Sequence, residues 1–82
     1  MTTLDRDQLE AYWMPYTGNR QFKAEPRMIV AADGHYYTAD DGRRIFDGLS
    51  GLWTCGAGHN RREINDAITR QLGELDYAPA FQ

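Results

Sequence analysis

The residue types best suited to chemistry are gathered in one run, Phe46-Asp47-Gly48-Leu49-Ser50-Gly51-Leu52-Trp53-Thr54-Cys55-Gly56-Ala57-Gly58-His59. It contains four of the eight glycines, one of the two tryptophans and the only cysteine. Glycine is used where φ must be positive or where a backbone or ligand comes close. A large aromatic between such glycines is therefore a core plug or a pocket wall, and Trp53 is the residue on which that choice turns. The polar candidates are weaker. Gly56-Ala57-Gly58-His59-Asn60-Arg61 has the outline of a dinucleotide loop, but Arg61 stands at the third glycine position and no buried parallel strand precedes it. His35, His59 and Cys55 lack metal-ligand spacing, so no metal site is expected. Asp40, Asp41 and Asp47 lack the calcium-loop pattern, and Ser50 lacks nucleophile-elbow spacing. Arg20, Arg27 and Arg61 could each clamp a carboxylate, as any arginine could. His35 reads as a surface strand residue and His59 as a hydrogen-bonded structural histidine beside a helix start. Cys55 reads as a small buried apolar residue.

The elements that must position this run can be read from spacing. Asp5 followed by Gln8 is a capping-box pattern, with Leu9, Tyr12 and Trp13 at helical spacing behind it. Pro15 is expected to stop that short helix. Met14 to Pro26 shows no clean period and reads as an irregular connector, although Trp13, Tyr16 and Phe22 make it unusually aromatic. From Met28 the pattern becomes strand-like. Asp33-Gly34 between two such runs signals a hairpin, and Asp40-Asp41-Gly42 leads into a third strand, Arg44-Ile45-Phe46-Asp47. A three-stranded antiparallel meander is predicted, with Ile29, Tyr36, Ile45 and Phe46 facing inward. Beyond the glycine-rich run, Asn60 is the expected N-cap with Glu63 at the capping-box position. Ile64, Ala67, Ile68, Leu72 and Leu75 then mark one helical face, and the helix is expected to end near Asp76. Tyr77 to Gln82 is extended, apolar and aromatic.

Composition bounds the function. A chain of 82 residues is one small domain or a piece of a larger one, and by itself buries only about 60% of its unfolded surface. The net charge of -3 argues against nucleic acid or a basic membrane patch. A single cysteine makes no internal disulfide, and no signal pattern or membrane-length apolar run is present, which points to a reduced, cytoplasmic setting. Both the aromatic N-terminal segment and the apolar ending lack a visible partner within the chain. The expectation is that the chain is the front end of something larger.

The order of motifs carries a resemblance. Met14-Pro15-Tyr16-Thr17, Asn19-Arg20-Gln21-Phe22-Lys23, Asp41-Gly42-Arg43, Asp47-Gly48, Ser50-Gly51-Leu52-Trp53 and Gly58-His59 together resemble the amino-terminal part of class III pyridoxal-phosphate-dependent aminotransferases. The ending Leu75-Asp76-Tyr77-Ala78-Pro79-Ala80-Phe81-Gln82 is similar to the ω-amino acid (β-alanine):pyruvate branch. The resemblance covers nearly the whole chain. It implies an α+β segment of the small domain of a fold-type I transferase: a short N-terminal helix and aromatic connector (1–27), then the meander, glycine-rich stretch and helix (28–82). The large domain that binds pyridoxal 5'-phosphate is expected beyond Gln82. So are the Schiff-base lysine, the aspartate under the pyridinium nitrogen, the phosphate loop and the carboxylate-binding arginine, which leaves no catalytic residue and no cofactor contact to assign here. The resemblance does imply that Tyr16, Leu52 and Trp53 line the substrate side of the cofactor. Phe81 would reach into the neighbouring subunit's site in a homodimer or dimer of dimers. Rigid aromatic walls suit a short amino acid. Two departures stand out: Thr54-Cys55-Gly56 is not the commonest sequence after the tryptophan, and Asn60-Arg61-Arg62 lacks the helix-start proline many relatives carry.

The activity implied is transfer of an amino group from an ω-amino acid or amine such as β-alanine to pyruvate, with the cofactor carrying the chemistry. The 82 residues alone are expected to be inactive, because their one lysine, Lys23, stands at the wrong place in the family order. The rival reading is a self-standing α+β interaction module with Trp13, Trp53 and Phe81 as anchors.

Overall fold

The computed structural model describes residues 5–81, so Met1–Leu4 and the terminal Gln82 of the apolar ending lie outside the described residues. Helix α1 (Arg6–Glu10) begins with the expected capping box: Gln8 N–H donates to the Asp5 carboxylate at 2.8 Å, and Asp5 N–H donates to Gln8 Oε1 at 3.0 Å. Leu9 is its buried contact, 3% exposed. The helix ends before Pro15 is reached. Tyr12 N–H bonds back three residues to the Leu9 carbonyl, and Met14 N–H turns aside to Asn19 Oδ1 at 2.7 Å. A side chain has thus captured the backbone that would have continued the helix. Tyr12 and Trp13 lie past the end, exposed.

The connector contains a helix that its sequence did not announce, α2 (Asn19–Ala24). Its six residues are fewer than two turns, too short to display a period. Tertiary contacts hold it instead. The buried Asn19 amide grips the Met14 carbonyl at 2.8 Å and the Thr17 carbonyl at 3.1 Å. Lys23 Nζ donates to the Glu10 carbonyl at 2.7 Å, with its ammonium 5.8 Å from the Trp13 ring.

Strands β1 (Ile29–Asp33), β2 (Tyr36–Ala39) and β3 (Arg44–Phe46) form the predicted antiparallel meander in the order β1-β2-β3. Gly34 and Gly42, at φ 58° and 90°, make the two turns where glycine was expected. The inward set was wrong, because it mixed two faces. Tyr37 pairs with Ile45 and Tyr36 with Phe46, and neighbours along a strand point to opposite sides. Tyr36 and Phe46 form an edge-to-face pair on the open side, centroids 5.7 Å apart, with the Arg44 guanidinium 4.2 Å from the Tyr36 ring. The covered side carries Tyr37, Ile45 and Ala39, the last 1% exposed. Ile29 shares that face through its pairing with Ala39, reached across a register shift between Ile29 and Ala31. It nonetheless remains exposed.

After the strands, α3 (Ser50–Trp53) is a single turn, and α4 (Arg62–Glu74) is the one long helix of the described residues. The cap of α4 is Arg61, not Asn60. Asn60 sits at φ 56°, outside the extended geometry an N-cap needs, and its side-chain Oδ1 accepts from Asn65 Nδ2 instead of from a helix N–H. A reciprocal pair of backbone hydrogen bonds between Gly34 and His59 fixes the chain just before it. Leu75 closes the helix, close to the expected end. Ile64, Ile68, Leu72 and Leu75 form its predicted apolar stripe, and all are exposed. With Leu9 and Ala39 as the buried apolar residues of the described chain, there is no shared core. The radius of gyration is 16.6 Å, against about 12 Å for a compact domain of this length.

Candidate functional site

The run from Asp47 to His59 leaves the end of β3 and returns to the hairpin. Its exit is closed against Gly34, with Gly34 N–H to the His59 carbonyl at 3.0 Å and His59 N–H to the Gly34 carbonyl at 2.7 Å. The approach requires glycine at position 58: φ is 91°, and a Cβ there would stand 3.2 Å from the Gly34 carbonyl oxygen. That is the work of Gly58, in a stretch with no more than the outline of a dinucleotide loop.

Between these ends the chain makes a left-handed turn. Ser50, Gly51, Leu52 and Trp53 have φ of 52°, 60°, 61° and 73°. The turn closes through Trp53 N–H to the Leu49 carbonyl at 3.1 Å and Thr54 N–H to the Ser50 carbonyl at 2.9 Å. Left-handed winding costs roughly 1–2 kcal/mol for each residue bearing a Cβ. Such a conformation persists only where its surroundings over-determine it.

Asp47 supplies that determination. Its Oδ1 accepts N–H groups from Leu49 and Gly51, each at 3.2 Å, and its Oδ2 lies 2.5 Å from His59 Nε2. The nearby Tyr37 hydroxyl favours its charged form as well. The Asp47 carboxylate is 6% exposed and the His59 ring 11%, and the Tyr37 and His59 rings meet at 4.6 Å between centroids. Burial pushes the Asp47 carboxyl up, but the hydrogen bonds with His59, Gly51 and Leu49, helped by the nearby Tyr37 hydroxyl, outweigh it and bring the pKa down to about 2. Burial, followed by the Asp47 charge, pushes the Tyr37 phenol up. His59 is thus the hydrogen-bonded structural histidine expected, and His35 is exposed at the hairpin turn. Cys55 is half-buried, not buried as expected, with Sγ 3.6 Å from Thr54 Oγ1.

The turn directs Leu52 and Trp53 outward together, the indole 93% exposed. Trp53 is no core plug of this chain. Tyr16 lies between α1 and α2 at φ 51° with its ring fully exposed, and Phe81 is exposed beyond α4. No ring contact among the described residues joins Tyr16, Trp53 and Phe81. An open groove between α1 and α2, lined by Leu9, Trp13 and Lys23, includes none of the four expected pocket residues. Among the described residues no cluster of His, Cys, Asp and Glu could hold a metal ion. Sequence reasoning missed Asp47 as an organising residue. The local half of its role was visible, since an aspartate commonly accepts the N–H two residues on; the half that depends on His59 and Tyr37 was not.

No protein-family model matches the chain. It is 61% identical over 74 residues to the β-alanine–pyruvate aminotransferase of Pseudomonas aeruginosa, covering 90% of this chain and 16% of the relative. It is 59% identical over 75 residues to the ω-amino acid–pyruvate aminotransferase of Pseudomonas putida, covering 92% of this chain and 17% of that one. Over nine-tenths of its length the chain is a relative of the ω-amino acid–pyruvate aminotransferases. In fold it matches a PLP-bound amine transaminase from an uncultivated Pseudomonas species with a TM-score of 0.77 and 37% identity, over 88% of this chain and 16% of the other. The helices and the three-stranded antiparallel sheet are therefore a segment of the transaminase fold. The chain spans about one sixth of the length of the curated relatives it matches.

Proposed function

We propose that this chain is the substrate-wall segment of a pyridoxal-phosphate-dependent aminotransferase that moves an amino group from an ω-amino acid such as β-alanine to pyruvate. The observation that carries the reading is the 61% identity to a β-alanine–pyruvate aminotransferase. The left-handed turn adds to it by presenting Leu52 and Trp53 as exposed apolar surface that none of the described residues covers. Tyr16, Leu52 and Trp53 form walls that orient a short donor and exclude water. Phe81 completes the site of a neighbouring subunit in a homodimeric, cytoplasmic enzyme of class III.

Pyridoxal phosphate supplies the amino-carrier chemistry when bound in the whole enzyme. Its lysine anchor is not among these residues. The one lysine, Lys23, is spent on the Glu10 carbonyl and stands over Trp13. What this chain offers the cofactor's site is apolar surface, which suits a wall and not a covalent attachment.

The test uses the parent enzyme with β-alanine and pyruvate, following alanine formation. Trp53→Ala is expected to raise the donor KM on the order of tenfold, the value of about 1.4 kcal/mol of lost wall contact. A parent protein that transfers no amino group from any ω-amino acid would sink the proposal. Mixing the 82-residue chain with pyridoxal phosphate is expected to give no visible absorbance of a lysine-bound cofactor.

A further inference from the structure

We propose that Asp47, His59 and Tyr37 form a latch that holds the left-handed turn Ser50–Trp53 and so fixes the direction in which Leu52 and Trp53 point. The three residues come from separate parts of the chain. Asp47 follows β3 at the entrance of the glycine-rich run, His59 stands at its exit, and Tyr37 lies on the middle strand, paired with Ala32 and Ile45. Asp47 Oδ2 and His59 Nε2 meet at 2.5 Å and close the run across its base. Asp47 Oδ1 reaches into the turn and accepts the N–H groups of Leu49 and Gly51. His59 cannot drift, because its backbone is bonded in both directions to Gly34 and its ring rests on Tyr37.

The need for such a device follows from the backbone. Ser50, Leu52 and Trp53 all carry a Cβ, and each would relax to negative φ if released. Within the described residues the turn has no apolar core beneath it, since Leu49, Leu52 and Trp53 are all exposed. Its shape therefore rests on its own backbone hydrogen bonds, on the Thr54 hydroxyl donating to the Gly51 carbonyl at 2.8 Å, and on the Asp47 carboxylate, the one support that comes from outside the turn and ties it to His59. Asp47, His59 and Tyr37 touch no substrate in this arrangement; they are positioning residues acting through the turn. Their consequence for donor affinity rests on the reading of Trp53 as a pocket wall.

The experiment uses the full-length parent enzyme. In Asp47→Ala, amide exchange at residues 49–53 is expected to accelerate on the order of tenfold or more while exchange in α4 is unchanged. The donor KM is expected to rise on the order of tenfold with kcat changed less than about twofold, the pattern of a displaced wall and not of lost chemistry. Asp47→Asn keeps an oxygen that can accept from Leu49 and Gly51, and should recover part of both effects. Should Asp47→Ala fail to fold, Asp47→Asn and Tyr37→Phe carry the test, each with a smaller acceleration confined to the same residues. Unchanged exchange at 49–53 in all soluble variants overturns the latch, as does acceleration spread evenly through the chain. If exchange accelerates at 49–53 but Trp53→Ala leaves the donor KM at its original value, the latch stands and the pocket-wall reading falls.

Discussion

At position 47 one carboxylate holds two amides of the turn and the His59 ring, and this makes the turn sensitive to acid. The folded-state pKa of Asp47, about 2, lies below the ordinary value of 3.8. A depressed pKa stabilises the folded arrangement above the unfolded value, and the contribution is lost as pH falls through the folded one. Loosening of the turn is therefore expected between about pH 4 and pH 2. It can be followed as a change in tryptophan fluorescence that is absent in Trp53→Phe and flattened in Asp47→Asn. Gly51 is constrained more simply. At φ 60°, a Cβ would stand 3.0 Å from Thr54 Oγ1 and 3.2 Å from Cys55 Sγ. Gly51→Ala should destabilise the parent protein by roughly 1–2 kcal/mol in chemical denaturation. Gly51 and Gly58 were legible as sites of positive φ and close approach, whereas Gly48 and Gly56 are neither. The partner of Asp47 was not, because His59 is twelve residues away and nothing local marks the pair.

Among the elements, α1 was the most readable, since a capping box is a local hydrogen-bond exchange that needs no tertiary partner. Asp5→Ala is expected to cost about 1 kcal/mol of α1 stability, seen as faster amide exchange in its first turn. In α4, no atom lies within 4 Å of a Cβ built on Gly73. Gly73→Ala should then stabilise the helix by about 0.5–1 kcal/mol, read as increased helical circular dichroism of the 82-residue chain. The helix α2 escaped notice because its stability comes from the Asn19 and Lys23 contacts with the preceding segment. The sheet was readable in number, order and turns. Its buried face was not, because with strands of three to five residues a single register shift reassigns every side chain.

For the whole molecule, the decisive quantity is how little is buried. Two apolar residues under 4% exposure among the described residues cannot offset the conformational entropy of a chain this long, at about 1–2 kcal/mol per ordered residue. The isolated chain is therefore expected to melt broadly, without the cooperative transition that the parent enzyme should show in calorimetry. The stripe Ile64, Ile68, Leu72 and Leu75 gives a sharper comparison. Leu72→Ala should change the isolated chain little, because that side chain is already exposed. In the parent enzyme, where the stripe is expected to be covered, the same substitution should cost about 2–5 kcal/mol.

By itself the sequence determined what depends on neighbours along the chain: the capped first helix, the glycine turns of the meander, the apolar stripe of α4, and the kinship carried by ordered short motifs. Only the tertiary structure decided that Trp53 points outward, that Asp47 straps its turn to His59 and Tyr37, and that Asn60 yields the cap to Arg61. The reason is the range of the interactions. Capping, periodicity and turn preference act over a few residues and are written in their order, whereas a left-handed turn bearing three Cβ atoms is stable only once a carboxylate, an imidazole and a phenol from distant positions have closed around it.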